Sequence, residues 1–226
     1  MAMERHPTRQ DFDRLLQEVQ DDVIAMGSMV DRAIERSTEA LLNRDANLAQ
    51  QVVAEDERID STRFEIEEKA IRLIATQQPM AGDLRVLVTV LNVIVDLERM
   101  ADHAEGNGRI AQMIGADSTI RPLGTLPRMA DKCRDMLRRV LSALVDHDAD
   151  TARKICEEDD EVDAMQDLSY HSLLQTMLEN PSRIQEATYL LWATHNLERI
   201  ADRTTNIAER VVFLVTGHME ELASKL

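Results

Sequence analysis

The chain has 226 residues, 44% of them hydrophobic, enough to enclose a sizeable core and to argue against disorder. Aromatics make up only 3%, Gly and Pro together number 12 (7 plus 5), and good helix formers dominate, so the composition reads as all-α. A formal charge of −16 repels phosphate backbones and anionic headgroups and excludes nucleic acid as a partner.

Residues 1–8 read as an N-terminal tail, and the opening MAMERHPTRQ has no apolar signal core, so a cytoplasmic protein is expected. The first helix is predicted over 10–43. A weak break at Asn43 to Asp45 follows, with Asp45 placed to cap a second helix over 45–77. Pro79 and Gly82 in QQPMAGD end that helix and open a third over 82–114. Its apolar run VLVTVLNVIV, 86–95, could pass for a buried strand, but no breaker lies between Gly82 and Gly106. The run is also far short of the roughly 20 residues of a membrane span. GADSTIRPLGT, 115–125, carries the Gly and Pro of a linker, and helices are predicted beyond it over 126–146, 148–179 and 182–216. Asp148 is the matching cap and ENPS, 179–182, the matching break.

The second half repeats the first. AEDERID (54–60) aligns with EEDDEVD (157–163), and ALLNRD (40–45) with ALVDHD (143–148), both at an offset of 103; DLERMAD (96–102) aligns with NLERIAD (196–202) at an offset of 100. The expected architecture is two tandem three-helix bundles of six long antiparallel helices: a first repeat over 9–115, a linker over 116–125 and a second repeat over 126–226. A helix of about 32 residues spans about 48 Å, so the bundles are long. Cys133 and Cys156 form no CxxC and align with Val30 and Val53, the pattern of small core residues in a reducing compartment.

At 100° per residue, the apolar arc of the second helix is marked by Val52, Val53, Ile59, Ile66, Ala70, Ile71 and Ile74, and Asp56 and Asp60 fall inside it. In the equivalent helix, Asp159 and Asp163 lie among Ile155, Val162, Leu173, Leu174 and Met177. The third helix places Glu98 inside, and Asp102 at the margin of, a stripe of Val90, Ile94, Leu97, Ala101 and Ala104; Leu190, Leu197, Ala201 and Ala208 repeat this around Glu198 and Asp202. Four converging carboxylates in apolar surroundings repel until their pKa values rise or a cation neutralises them. Oxygen-only ligation suits Mg²⁺, Ca²⁺, Mn²⁺ or iron, and carboxylates also accept Zn²⁺ and Ni²⁺. The competing reading gives the neutralising role to Arg99, Arg199, Arg58 or Arg63 in structural ion pairs.

This pattern resembles the PhoU family: two three-helix repeats, each with E/DxxxD on two helices. The matching residues are Asp56 with Asp60, Glu98 with Asp102, Asp159 with Asp163, and Glu198 with Asp202. QQPMAGDLR, 77–85, is similar to the family's PxAxDLR turn, and ADRTTNIAE, 201–209, to its D(H/R)xxNIAE ending. The resemblance implies a cytoplasmic negative regulator of phosphate uptake and of phosphate-starvation signalling. Such a protein bridges the phosphate ABC transporter ATPase and a membrane sensor histidine kinase, and reaches the membrane only through them. It also implies that the eight carboxylates are ligands of metal ions (iron, Zn, Mg, Mn or Ni) and not catalysts, and a homodimer is expected. The first repeat departs from the pattern, with Gly106 where the family places Asn, and Glu105 paired with Thr205.

A di-iron oxidase would need ExxH on two helices, and no ExxH occurs; the six histidines stand singly, His103 matched by Arg203. GxSxG, P-loop and dinucleotide-binding turns are also missing, so no catalysis is assigned. The alternative to a regulator is a helical dimerisation or scaffold module whose acidic pairs are structural ion pairs.

Overall fold

The structure, a computed structural model, describes residues 9–115 and 124–222. The predicted tail, 1–8, and most of the predicted linker lie outside the described residues. In chain order the elements are α1 (Arg9–Asn43), α2 (Ala46–Gln77), α3 (Gly82–Ile114), α4 (Thr125–Asp146), α5 (Ala149–Glu157), α6 (Asp159–Glu179), a 3-10 turn (Pro181–Arg183) and α7 (Ile184–Thr216). Helices α1 to α3 pack on one another, as do α4 to α7, and the fold is all-α with two three-helix bundles, α5 and α6 together forming one arm.

The chain reversals are built alike in both halves. Arg44 (φ 56) and His147 (φ 53) turn the chain in the left-handed region. Each is followed by an aspartate whose carboxylate accepts the first free amides of the next helix: Asp45 from Asn47 and Leu48, both at 3.0 Å, and Asp148 from Asp150 and Thr151 at 3.1 and 3.0 Å. The reversal at QQP closes through Gln78 in the left-handed region, its amide bonded to Ile74 O.

Two expectations need correction. The helix predicted over 148–179 is interrupted at Glu158, within five consecutive acidic residues, 157–161. Carried through a helix interior, that run would crowd like charges. The interruption instead makes Asp159, Asp160 and Glu161 the first turn of α6, where the helix dipole favours them, while Glu158 is held by Arg139 and Lys132 from α4. The apolar arc of α2 is also narrower than drawn. Ile71 is 52% exposed because it lies about 140° round the helix from Ile66, and Leu174 on α6 is 38% exposed; the buried line on α2 is Ala49, Val52, Ile59, Ile66, Ala70 and Leu73. The stripes of α3 and α7 are buried as predicted.

One continuous core runs through both bundles, because α3 and α7 pack along each other and α1 packs on α4. Gly27 admits the second contact: a Cβ there would sit 2.3 Å from Leu141 Cδ1. Arg134 and Arg138 of α4 bracket Asp31 of α1 at 3.0 and 2.8 Å and tie the bundles at their edge. Both cysteines are buried, and burial pushes both thiols up, Cys156 to about 12, which fits core residues and not reactive ones.

Candidate metal centre

Asp56 and Asp60 lie one turn apart on α2, and Glu98 and Asp102 one turn apart on the adjacent α3, so all four face the same seam. One carboxylate oxygen from each of Asp56, Asp60 and Asp102 lies within 4.8 Å of the other two. Glu98 borders this triplet: the charges of Asp102 and Asp60 act on it, while Arg63 Nε stands 4.0 Å from its Oε1. Burial, and then the charges of Asp102, Asp60, Glu105 and Glu98, push the Asp56 carboxyl up to about 7. Asp102 and Glu98 rise too, burial being the largest cause for each. The Asp60 Oδ1 is buried without a hydrogen-bond partner.

The second quartet is assembled from α6 and α7. Asp159 is pushed up to about 7 by burial and then by Asp163, Asp202 and Glu198; Glu198 reaches about 7 through burial and Asp202; and Asp163 is raised by burial and Asp202. Among the described residues, however, this quartet does not close into a triplet as the first does. Arg199 takes Asp202, Nη1 to Oδ2 at 2.6 Å, and His195 Nδ1 stands 3.1 Å from Glu198 Oε2 without the alignment of a hydrogen bond. Asp159 Oδ1 and Glu198 Oε2 remain buried and without hydrogen bonds.

Buried carboxylate oxygens without donors are costly, and a group of them is held in place only if protons or a cation neutralise it. The donor set is all oxygen, so these residues fit a hard cation, and Asp56, Asp60 and Asp102 stand close enough together that they could hold one. Of the arginines that could have neutralised the quartets instead, only Arg199 makes a close pair with one of their carboxylates. Arg63 bonds chiefly to Glu67 at 2.8 Å, and Arg58 and Arg99 make no ion pair among the described residues.

Gly106, the departure in the first repeat, lies close against α7. A Cβ there would meet Asn196 Nδ2 of α7 at 3.0 Å, and that amide donates to Asn107 Oδ1 at 2.9 Å. The repeat-related contact is Asn206 Nδ2 donating to Asp96 Oδ1 at 3.3 Å, with Arg203 Nη1 at 3.7 Å from the same oxygen. Sequence reasoning missed Asp96, which lies among apolar residues and is buried; its alignment with Asn196 was the available signal.

Antiparallel helical bundles repeated in tandem, with a carboxylate quartet between two helices of each, define a class of duplicated acidic-bundle proteins. The comparisons with known proteins agree with that class and narrow it. A family profile described as "PhoU domain" matches residues 23–111 and again 126–211. Curated relatives named "Phosphate-specific transport system accessory protein PhoU homolog" include one from Clostridium acetobutylicum, 36% identical over 95% of this chain and 99% of its own length. Another, from Caulobacter vibrioides, is 40% identical over 90% of this chain and 88% of its own. The crystal structure of PhoU from Pseudomonas aeruginosa superposes with a TM-score of 0.87 at 32% identity, covering 92% of this chain and all (100%) of that one. The chain belongs to the PhoU family. Among the described residues, no helix is long and apolar enough to cross a membrane.

Proposed function

We propose that the chain is a cytoplasmic negative regulator of phosphate uptake and of phosphate-starvation signalling. The observation that carries this reading is the double match to the PhoU domain together with near full-length relatives named as accessory proteins of phosphate-specific transport. In this reading it acts by contact and has no catalytic role. It holds the phosphate ABC transporter ATPase and a sensor histidine kinase, meets the membrane only through them, and works as a homodimer. Its eight carboxylates, Asp56, Asp60, Glu98, Asp102, Asp159, Asp163, Glu198 and Asp202, take divalent or trivalent cations. The convergence of three aspartates supports this at the first quartet, and the orphaned oxygens of Asp159 and Glu198 support it at the second. Iron, Zn, Mg, Mn and Ni are all compatible with oxygen donors. The Arg199–Asp202 pair favours the ion-pair alternative at the second quartet alone. Deleting the gene should leave uptake and starvation signalling high in abundant phosphate, and the tagged protein should recover the transporter ATPase or the kinase from membranes. Normal repression in the deletion strain, with neither partner recovered, defeats the regulatory reading.

A further inference from the structure

Asp56 faces two ways. Besides joining the aspartate triplet, it lines a cavity of about 200 Å³ between α1, α2 and α3, with Arg32, Arg36, Arg58, Glu55 and Glu105 around it. That is below the roughly 300–1,000 Å³ of pockets for drug-sized ligands and suits a small ion. The three guanidiniums are not equivalent. Arg36 bonds to Glu55 and to Gln51 Oε1, the latter at 2.6 Å, whereas the guanidiniums of Arg32 and Arg58, both on exposed residues, make neither ion pair nor hydrogen bond among the described residues. The carboxylates are partly accounted for: Arg36 takes Glu55, and Arg109 bonds to Glu105 at 2.7 Å.

The second repeat supplies a control. At the offset of 103, Arg36 and Glu55 map to Arg139 and Glu158, which form the same pair, so that contact is part of the bundle. Arg32 and Arg58 map to Asp135 and Glu161. The charge is inverted at both positions, and each acid is taken up locally, Asp135 by Arg139 at 3.1 Å and Glu161 by Lys132 at 2.9 Å. Two unpaired guanidiniums beside the aspartate triplet are therefore peculiar to the first repeat and are not required by the packing.

We propose that Arg32 and Arg58, with a cation on Asp56, Asp60 and Asp102, bind a small tetrahedral oxyanion, free inorganic phosphate. Guanidiniums present forked donors to such an oxyanion, and a hard cation supplies the remaining countercharge. Without the cation, five carboxylates (Glu55, Asp56, Asp60, Asp102 and Glu105) outnumber the three guanidiniums and oppose the anion; a divalent cation offsets the excess and leaves Arg32 and Arg58 to hold it. The two ions then bind cooperatively, each tightening the other. This proposal rests on the cation reading above.

The test is calorimetry with inorganic phosphate on the full chain, with and without Mn²⁺, and paramagnetic resonance to count bound Mn²⁺. Phosphate should bind the Mn²⁺-loaded protein and tighten Mn²⁺ about tenfold. The Arg32→Ala, Arg58→Ala double variant should keep Mn²⁺ binding and the melting temperature of the metal-free protein, and lose phosphate affinity by about tenfold or more. Undiminished phosphate binding by that variant overturns the proposal, because the metal alone would then attract the anion. Glycerol 3-phosphate binding more tightly than phosphate overturns it in favour of a phosphoryl group on a larger molecule. The two readings fail differently: Mn²⁺ that loads without drawing phosphate sinks the oxyanion site alone, whereas failure to load Mn²⁺ sinks the cation site and the oxyanion site together.

Discussion

The two carboxylate quartets descend from one repeated pattern, yet they differ in what surrounds them. In the first, three aspartate oxygens converge and Arg63 stays at 4.0 Å from Glu98, mostly engaged with Glu67. In the second, Gln166 replaces that arginine by alignment, and Arg199 closes on Asp202 at 2.6 Å from within the quartet. Carboxylates matched by the repeat therefore do not make matched surroundings. A guanidinium on a carboxylate would compete with a cation for the same oxygen, so on the proposed cation reading the quartet that keeps its arginine at arm's length is the better prepared of the two.

Three measurements bear on this contrast. The largest effect is expected from cation binding. At a concentration 100 times Kd, a cation should stabilise the chelator-stripped protein by about 2.7 kcal/mol, seen as a raised melting temperature. Asp56→Asn with Asp60→Asn should remove more of that gain than Asp159→Asn with Asp163→Asn. Equal losses erase the contrast, and no cation effect at all in the wild type makes both quartets structural ion pairs.

The next effect is the pH dependence of the metal-free protein. Asp56, Asp159 and Glu198 are raised to about 7, so the native state holds protons that the unfolded chain releases at its lower carboxylate pKa. The sign follows: stability falls as pH climbs from the unfolded carboxylate range near 4 to about 7, and recovers on acidification through that window. Melting temperature should drop by a few degrees between pH 5 and pH 8 without metal, and less with saturating cation. A flat profile in the stripped protein would mean that the carboxylates are already neutralised by arginine.

The smallest effect is expected from Arg199→Ala. Freeing Asp202 should tighten cation binding at the second quartet by about two- to fivefold, the scale of one partly exposed ion pair. If titration calorimetry shows weakening instead, Arg199 orients Asp202 for the cation and does not compete with it.

Much of this was legible in the sequence because the repeat imposes it twice. The caps Asp45 and Asp148, the breaks at Pro79 and Pro181 and the stripes of α3 and α7 follow from local chemistry that tertiary packing does not override. What was illegible depended on facing elements. Ile71 and Leu174 look apolar in periodicity but lie outside the buried arc, which is set by where α3 and α7 approach. Gly106 read as a defect until Asn196 was seen opposite it, a contact between residues 90 apart in sequence (196 minus 106). The unpaired state of Arg32 and Arg58 was beyond single-residue reading too, although aligning the repeats shows the charge inversion at Asp135 and Glu161.

The polar contacts between α3 and α7 set a limit on motion. Asn196 with Asn107, and Asn206 with Asp96, engage at opposite ends of the same crossing and in related positions. Sliding one helix past the other by a turn, about 5.4 Å, would unmake both contacts together. The two quartets, carried by those helices, are consequently spaced like marks on a ruler. A partner that touches both would gauge a set distance, since translation along the seam has to break both pairs at once.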